Sequence, residues 1–449
     1  MSTTHITVLG AGYVGLTTAT LLAHAGYTVY ALEPNDARRK SIAEGKSFFY
    51  EEGLDPLIAE AVKSKKLIPT DSYKESIPGS QVIFSCVGTP DNPDGSSNLR
   101  YVFDAAAMTA KHVQSGSIYI QKSTVPVGTG EKVEKLFGDA GKEIRYVSNP
   151  EFLREGTALL DTLFFDRVVA GSDDSEALNE VMDLYRSIQK NRDNIVKLAR
   201  VETRPHAGDY VTTSRNSAEL IKVTANAFLA LKISFANSIA KLADQVGADV
   251  VEVMDAVGSD TRIGRAFFNA GRGYGGGCFP KDVSGLIASG LEHGVELEIM
   301  NAAQTVNESM IGYIVEKVKE AFGEELKEKQ IAVLGLAFKA GTSDVRRSPG
   351  VKLANLLSHE GAVVRAFDPE GMDEARDELR RPIQLCASVE DAVKNADAVL
   401  VATEWPALLE LEPTTYAKLL EGDIFVDAIN GFKPADISRA GLHYIGVGR

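Results

Sequence analysis

The sequence predicts an α/β protein made of two parallel-sheet domains joined by a long central helix, and three stretches carry that expectation. Near the N-terminus a short apolar strand runs into Gly10-Ala-Gly-Tyr-Val-Gly15, then a helical pattern, then a second strand closed by Glu33. From Gln330 onward a second series of apolar strands begins with its own strand and turn. Between them, from Asn216 to about Val257, a proline-free, apolar-striped stretch reads as helix. Strand, glycine turn, helix and acid-ended strand together form the Rossmann pattern. The fold class is therefore α/β, with two Rossmann-like domains joined by a long central helix. A chain of 449 residues is too long for one ordinary domain. The expected boundaries are 1–200 for the dinucleotide-binding domain, 216–300 for a central helical and dimerisation domain, and 328–449 for the second Rossmann-like domain.

In chain order, residues 5–10 read as a buried strand, Leu16 to Ala25 as a helix and Gly26 to Glu33 as the next strand. In the turn between them, Gly10 permits the tight bend, Gly12 lets backbone approach a pyrophosphate and Gly15 lets helix pack on strand, with Tyr13 and Val14 in the same cofactor-binding turn. Glu33 is placed to accept hydrogen bonds from an adenosine ribose and to repel a 2′-phosphate, which favours NAD over NADP. The alternative for Glu33 is an exposed strand-end carboxylate. Arg38 is a candidate cover for the adenine, or a residue of a solvated helix face. Gly45-Lys46-Ser47 resembles the end of a phosphate-binding loop, but Lys40 stands where that loop needs its first glycine. Gln81 to Val87 is an apolar strand ending at Gly88-Thr89-Pro90, a strand end expected to line the cofactor crevice. Ser117 to Gln121 is followed by Lys122-Ser-Thr-Val-Pro-Val-Gly128, and Ile144 to Val147 by Ser148-Asn-Pro-Glu-Phe-Leu-Arg-Glu-Gly156. Residues 189–215 are polar and without a clear period, and read as a surface excursion in which His206 is exposed.

Within the central stretch, Lys222 and Asn226 are spaced i, i+4 and so share a helix face. Arg262, Arg265 and Arg272 follow, then Gly275-Gly-Gly-Cys-Phe-Pro-Lys-Asp282. The residues after Asp282 read as a helix with Pro280 suited to its first turn, which places Cys278 just ahead of a helix N-terminus. There the macrodipole and Lys281 both favour a thiolate, and the glycines are expected to clear the approach to the sulfur. The alternative is a buried structural cysteine. In the second α/β unit, beginning at Gln330, Ile331 to Lys339 reads as strand then turn, and further strands are expected at 363–367, 398–402 and 424–428. Its first turn lacks the three-glycine pattern, so it should hold a nucleotide differently, or not a dinucleotide at all.

Composition narrows the function classes. A net charge of −14 and the lack of a basic run argue against a nucleic-acid partner. The three cysteines, Cys86, Cys278 and Cys386, do not suggest a disulfide scaffold, and Cys86 and Cys386 lie in apolar runs typical of core. No zinc spacing occurs, so no metal is expected. No signal peptide and no apolar run of membrane-spanning length are read, which points to a cytoplasmic protein without a membrane partner.

Taken together, Gly10–Gly15, Ser123-Thr-Val-Pro-Val-Gly-Thr129, Asn149–Gly156, Ala218-Glu-Leu-Ile-Lys222 with Asn226, Gly276–Asp282 and Gly335-Leu-Ala-Phe-Lys339 resemble the nucleotide-sugar 6-dehydrogenases of the UDP-glucose/GDP-mannose dehydrogenase family. These motifs span almost the whole chain in the family's order. The resemblance implies a four-electron oxidation of a primary alcohol to a carboxylate with NAD, a UDP-sugar substrate, and a homodimer or higher homo-oligomer built on the central helix. It implies Cys278 as nucleophile, Glu151 as base for thioester hydrolysis, Lys222 and Asn226 as oxyanion stabilisers, and Asp282 and Thr124 as holders of a water. It places Ser123, Thr124, Glu155, Lys281 and Arg346 beside the cofactor. It places Phe152, Leu153, Arg154, Glu155, Gly275 and Lys339 on the substrate. Arg262 matches an arginine that reaches a diphosphate across the dimer. Phe267, Tyr274 and Phe279 would line the sugar-nucleotide pocket, with core packing as the alternative.

The sequence departs from the family pattern at several points. Gly277 stands where serine is common, which is expected to loosen that turn. Ser343 and Arg347 replace two carboxylates near the nucleotide pocket. Glu52 follows Phe49-Tyr-Glu51 where proline is usual, and the excursion at 189–215 is longer than the norm. Oxidation of GDP-mannose or of a UDP-N-acetylhexosamine is the alternative within the family. Outside it stand a two-electron hydroxyacid dehydrogenase, which needs no cysteine, and an NAD-sensing protein without turnover.

Overall fold

The computed structural model describes residues 5–204 and 208–449; His206 lies outside them. The chain forms two compact units, Met1–Ala225 and Asn226–Arg449. The division falls inside one helix, Arg215–Val246, which links them.

Among the described residues, the first unit carries an eight-stranded sheet in the order β3-β2-β1-β4-β5-β6-β7-β8. The strands are β1 (His5–Leu9), β2 (Thr28–Leu32), β3 (Leu67–Thr70), β4 (Ser80–Ser85), β5 (Ile118–Gln121), β6 (Arg145–Ser148), β7 (Arg167–Gly171) and β8 (Asp209–Thr213). From β3 to β6 all neighbours run parallel, while β7 meets β6 antiparallel. The chain steps outward from β1 to β3, then returns to the other side of β1 as β4. That reversal opens a crevice at the carboxyl ends of β1 and β4. Every loop singled out above in this unit lies along this carboxyl edge: 10–15 after β1, Glu33 after β2, 88–89 after β4, 123–124 after β5 and 151–155 after β6. The strands are apolar on both faces because helices cover both, and Ile6, Val8, Val29, Phe84, Ile120 and Val147 are buried.

The polar stretch at 189–215 is not a plain surface loop. It contains a helix, Arg192–Ala199, and the strand β8, which pairs in parallel with β7. Ile195, Ala199 and Val201 are buried, and Ala199 and Val201 press on Gly53, where an added Cβ would lie 2.6 Å from Val201. Few apolar residues are needed to hold an edge strand and a short covering helix, so the composition reads as loop.

The second unit has a six-stranded parallel sheet in the order β11-β10-β9-β12-β13-β14. Its strands are β9 (Gln330–Leu334), β10 (Val363–Phe367), β11 (Gln384–Leu385), β12 (Ala398–Val401), β13 (Ile424–Asp427) and β14 (His443–Ile445). The short edge strands β11 and β14 carry too little apolar pattern to be read from sequence.

The central helix is shorter than expected. It stops at Val246, Gly247 takes φ +70°, and Asp249 caps a new helix, Val250–Gly258, by accepting from Val251 N–H. By length and composition Arg215–Val246 is apolar enough to cross a membrane, against the expectation that no run is. Its polar side chains in the second unit are nonetheless bound to protein. Lys232 Nζ donates to Gly264 O (2.9 Å), Ser234 Oγ to Ala303 O (2.7 Å), and Asn237 Oδ1 accepts from Gly271 N (2.7 Å). One face of the helix is thus packed on protein.

Candidate active site

The dinucleotide turn is set by close backbone packing. Gly10 has φ +84°, and a Cβ there would lie 2.9 Å from Cys86 O. A Cβ on Gly15 would lie 1.8 Å from Gly10 O, so helix and turn can touch only through glycine. At Gly12, which caps the helix Tyr13–His24 without a side-chain bond, a Cβ would meet nothing within 4 Å. The open space and the amide groups of a helix N-terminus fit a pyrophosphate. Glu33 is buried rather than exposed, at 4 %. Its carboxylate accepts from Ala11 N (3.2 Å) and Asn35 N (3.1 Å), which leaves acceptor capacity for a ribose. These residues fit NAD. Arg38 is exposed and lies over the Phe48 ring, 4.7 Å from its centroid. The arginine that engages the strand end is its neighbour Arg39, which donates to Glu33 O and Pro34 O.

Along the same edge, Thr89 is buried beside Gly88. Ser123 Oγ donates to Val87 O (2.6 Å), binding the β5 loop that carries Thr124 to the β4 loop. Beyond β6, Glu151 Oε2 accepts from Leu153 N (2.5 Å) while Oε1 faces Lys222 Nζ at 3.1 Å. Both side chains are buried. Lys222 is placed by the start of its helix: Glu219 accepts from Gly128 N and Gly130 N, and Arg215 pairs with Glu134. Phe152 lies between cations, with Arg167 3.9 Å and Lys222 5.5 Å from its ring centroid. Arg154 turns away to Asp161, which also takes Arg204 and Thr157. Burial works against the charge of Asp161, but Arg154 and then Arg204 hold it below the ordinary carboxylate range. A cavity of about 680 Å³ borders this loop, lined by Lys122, Asn149, Glu151, Arg154, Arg167 and Tyr185 among others. Its floor holds a buried chain that the sequence did not reveal: Lys122 Nζ donates to Tyr185 Oη (2.9 Å), which donates to Asn149 Oδ1 (2.5 Å).

In the second unit, Cys278 is the N-cap of the helix Phe279–Glu292, with Pro280 in its first turn. Cys278 is exposed, Cys86 half-buried and Cys386 buried. Burial pushes the Cys86 thiol up to about 12 and also raises that of Cys386, so both are inert beside Cys278. Asp282, 2 % exposed, gathers two partners: Asn226 Nδ2 donates to Oδ2 (2.6 Å) and Lys281 Nζ to Oδ1 (2.7 Å). The ammonium of Lys281 is thus directed to Asp282.

The glycines before Cys278 are each packed closely against a neighbour. A Cβ on Gly275 would lie 2.6 Å from Arg347 O, on Gly276 2.8 Å from the Phe338 ring, and on Gly277 2.6–2.8 Å from the Arg346 guanidinium. The missing serine at 277 therefore makes room for Arg346, which is itself held by Asp344, and the turn is tight. Tyr274 is buried in a small apolar cluster with Ala227, Ala230 and Val283, as core packing predicts. Phe267 is exposed with φ +65°, against the core reading; its ring and that of Tyr274 lie about 6 Å from Phe279. Lys339 lies 5.7 Å from the Phe338 ring centroid. Arg262 stands apart, its guanidinium on Asp260 and its side chain 87 % exposed.

The fold and the dinucleotide turn are those of an NAD-dependent dehydrogenase. The chain belongs to the UDP-glucose/GDP-mannose dehydrogenase family: residues 4–189 match its NAD binding domain, 216–309 its central domain and 332–434 its UDP binding domain. It is 37 % identical over 449 residues to a UDP-glucose 6-dehydrogenase of Rhizobium meliloti (strain 1021), covering 99 % of each chain. A solved UDP-glucose dehydrogenase from Pyrobaculum islandicum superposes with a TM-score of 0.89 at 35 % identity, over 99 % of this chain and 98 % of that one. A UDP-D-ManNAc dehydrogenase from Pyrococcus horikoshii gives 0.86 at 28 % identity, over 99 % of both.

Proposed function

We propose that the chain oxidises UDP-glucose to UDP-glucuronate in two successive two-electron steps through a thioester on Cys278. The observation that carries the mechanism is Cys278 itself, an exposed thiol at the N-cap of a fourteen-residue helix, flanked by the bound Asn226–Asp282–Lys281 group. NAD, when bound, accepts the hydride of each oxidation. The primary alcohol loses a proton and a hydride to become an aldehyde. The thiolate of Cys278, favoured by the helix N-terminus, adds to that carbon. The thiohemiacetal then loses a proton and a hydride to become a thioester. Water attacks, the carbon–sulfur bond breaks, and the thiolate is restored as the carboxylate leaves.

The other residues take the roles that the family resemblance implies. Glu151 is the base that takes a proton from the attacking water, and Lys222, paired with it, balances negative charge on the reacting oxygen. Asn226 assists through the amide that Asp282 orients, and Asp282 and Thr124 hold a water. Gly10 to Gly15, Glu33, Gly88, Thr89, Ser123 and Arg346 hold the cofactor. Phe152, Leu153, Glu155, Phe279 and Lys339 hold the substrate. The domains at 1–200, 216–300 and 328–449 take the cofactor, the dimer contact and the UDP moiety respectively. Glu151→Gln is expected to accumulate a thioester on Cys278, read as a mass increment on the intact protein after mixing with substrate and NAD. A mutant that turns over without an adduct removes Glu151 from the hydrolytic step.

UDP-glucose is preferred because the R. meliloti relative named for it aligns end to end at 37 % identity. Oxidation of a UDP-N-acetylhexosamine is the second reading, favoured by the fold match to the P. horikoshii enzyme. A dimer in the cytoplasm completes the proposal. Leu220, Phe228, Phe235, Leu242 and Val246 form an exposed apolar stripe at near-heptad spacing on the linking helix. Phe235→Asp should shift the sedimenting species from dimer to monomer; a wild type that sediments as a monomer removes this part.

A further inference from the structure

The segment Phe48-Phe49-Tyr50-Glu51-Glu52-Gly53 has no role in the chemistry above, yet it touches both the cofactor turn and the substrate loop of the first unit. Phe49 lies against Tyr13, the first residue of the helix that follows the dinucleotide turn, with ring centroids 4.0 Å apart. Phe48 packs edge-on against Phe49 at 5.1 Å. Two residues on, Glu51 turns inward and is 7 % exposed. Its Oε1 accepts from Leu159 N at 2.9 Å. Leu159 belongs to the helix Ala158–Leu163, which starts directly after the loop that carries Glu151, Phe152 and Leu153.

That loop is fastened from its other side by Asp161. Asp161 Oδ2 accepts from Arg154 N (2.9 Å), Arg154 Nε (3.0 Å) and Thr157 Oγ1 (3.1 Å). Residues 154–161 are therefore held between two carboxyl groups, one from their own helix and one from the segment that carries Phe49. An apolar side chain would fill the place of Glu51 without burying a polar oxygen. What the carboxyl adds is an acceptor for the amide at the base of the substrate loop. Its second oxygen, Oε2, is buried and makes no hydrogen bond among the described residues. A neutral carboxyl suits that position better than an anion. Burial, and then repulsion from Asp161, push Glu51 up to about 7.

We infer that Glu51 is a positioning residue that couples the dinucleotide turn to the substrate loop. Occupation of the turn sets Tyr13, Tyr13 sets the segment through Phe49, and Glu51 sets residues 158–159 and with them the loop before. The naming of 151–155 as the substrate loop rests on the function proposed above. The coupling itself involves only the NAD-binding unit.

Hydrogen exchange measured by mass spectrometry, with and without NAD, tests it in the full-length wild type, Glu51→Gln and Glu51→Ala. In the wild type NAD should slow exchange at 48–53 and at 150–159. Glu51→Gln keeps an oxygen for the Leu159 amide and should keep both effects. Glu51→Ala should keep the effect at 48–53 and lose it at 150–159. It should also raise the KM for the sugar nucleotide roughly tenfold, the worth of one hydrogen bond, with kcat little changed. Equal NAD-dependent protection of 150–159 in wild type and Glu51→Ala overturns the inference, as does a Glu51→Gln protein that folds but behaves like Glu51→Ala. Should Glu51→Ala fail to fold, Phe49→Leu, which removes the ring contact and leaves Glu51 intact, should lose the same protection at 150–159; full protection there overturns the inference. Coupling without turnover on any sugar nucleotide would remove the proposed function and leave the coupling standing.

Discussion

The two Rossmann-like units close their first turn in the same way and use it differently. In the first, Gly15 sits over the carbonyl of Gly10, where a Cβ would lie 1.8 Å from the oxygen. In the second, Gly350 sits over the carbonyl of Gly335, where a Cβ would lie 2.1 Å away. The turn glycines have φ +84° and +101°, and each preceding sheet pairs its first strand with an acid-ended neighbour. The difference lies in what fills the space. In the first unit the helix starts at Tyr13 with an uncapped Gly12, and Glu33 binds the amides of Ala11 and Asn35. In the second, the helix is delayed to Pro349 and capped by Ser348, with residues 336–348 inserted. There the acid, Asp368, is saturated: Oδ2 takes Leu336 N, Ala337 N and Trp405 Nε1, and Oδ1 takes Glu370 N and Gly371 N. One frame is left open for a dinucleotide, and the other is closed by its own chain. A Rossmann turn is thus recognised by its packing, but its ligand is decided by how many of its hydrogen-bonding groups remain unspent.

The largest expected effects come from the two packing glycines. Gly15→Ala and Gly350→Ala each force a methyl into a carbonyl and should each cost about 3 kcal/mol, measured by denaturant unfolding. Only Gly15→Ala should also abolish NAD binding. Equal loss of NAD binding in both would break the distinction between an open and a closed turn.

Next come the two acids. Asp368→Asn places an amide among five donors and should lower stability by about 2 kcal/mol while NAD affinity holds. Glu33→Gln should do the reverse: a small change in stability, roughly tenfold weaker NAD binding and narrowed preference over NADP. Titration of both cofactors, alongside melting, checks the pair. An Asp368→Asn protein with weakened NAD binding would contradict the assignment of that acid to structure alone.

A smaller effect concerns pH. Glu51 is raised from 4.5 to about 7 in the folded protein, so its neutral form stabilises the fold. That contribution is complete below about pH 4.5 and is lost as pH rises through 7. The melting temperature of the wild type, relative to Glu51→Gln, should therefore fall between pH 5 and pH 8. A difference that is flat over this range would show that Glu51 is already ionised when folded.

Much of the fold could be read from residues with one physical meaning. Gly10 and Gly15 stand at positions that only glycine fills, and the apolar runs at β1, β4, β9, β12 and β13 are buried on both faces. Pro280 in the first turn of its helix placed Cys278 correctly at a helix N-cap. What escaped depended on partners distant in the chain. Gly350 carries no signal of its own until its contact with Gly335 O is seen. Lys122 reads as a loop lysine until Tyr185 and Asn149 meet it. Glu51 sits 108 residues from the amide it binds. The packing of the glycines at 275–277 is hidden in the sequence because their neighbours, Arg347, Phe338 and Arg346, lie some seventy residues on. The polar run at 189–215 hid an edge strand because an edge strand needs little apolar side chain.

The most direct test of the account is the number of NADH molecules formed per sugar nucleotide consumed, with UDP-glucose limiting and NAD in excess. Two NADH per UDP-glucose is the predicted result, since both hydrides of the alcohol carbon leave before the thioester is hydrolysed. One NADH per UDP-glucose, with an aldehyde as product, would contradict the thioester on Cys278.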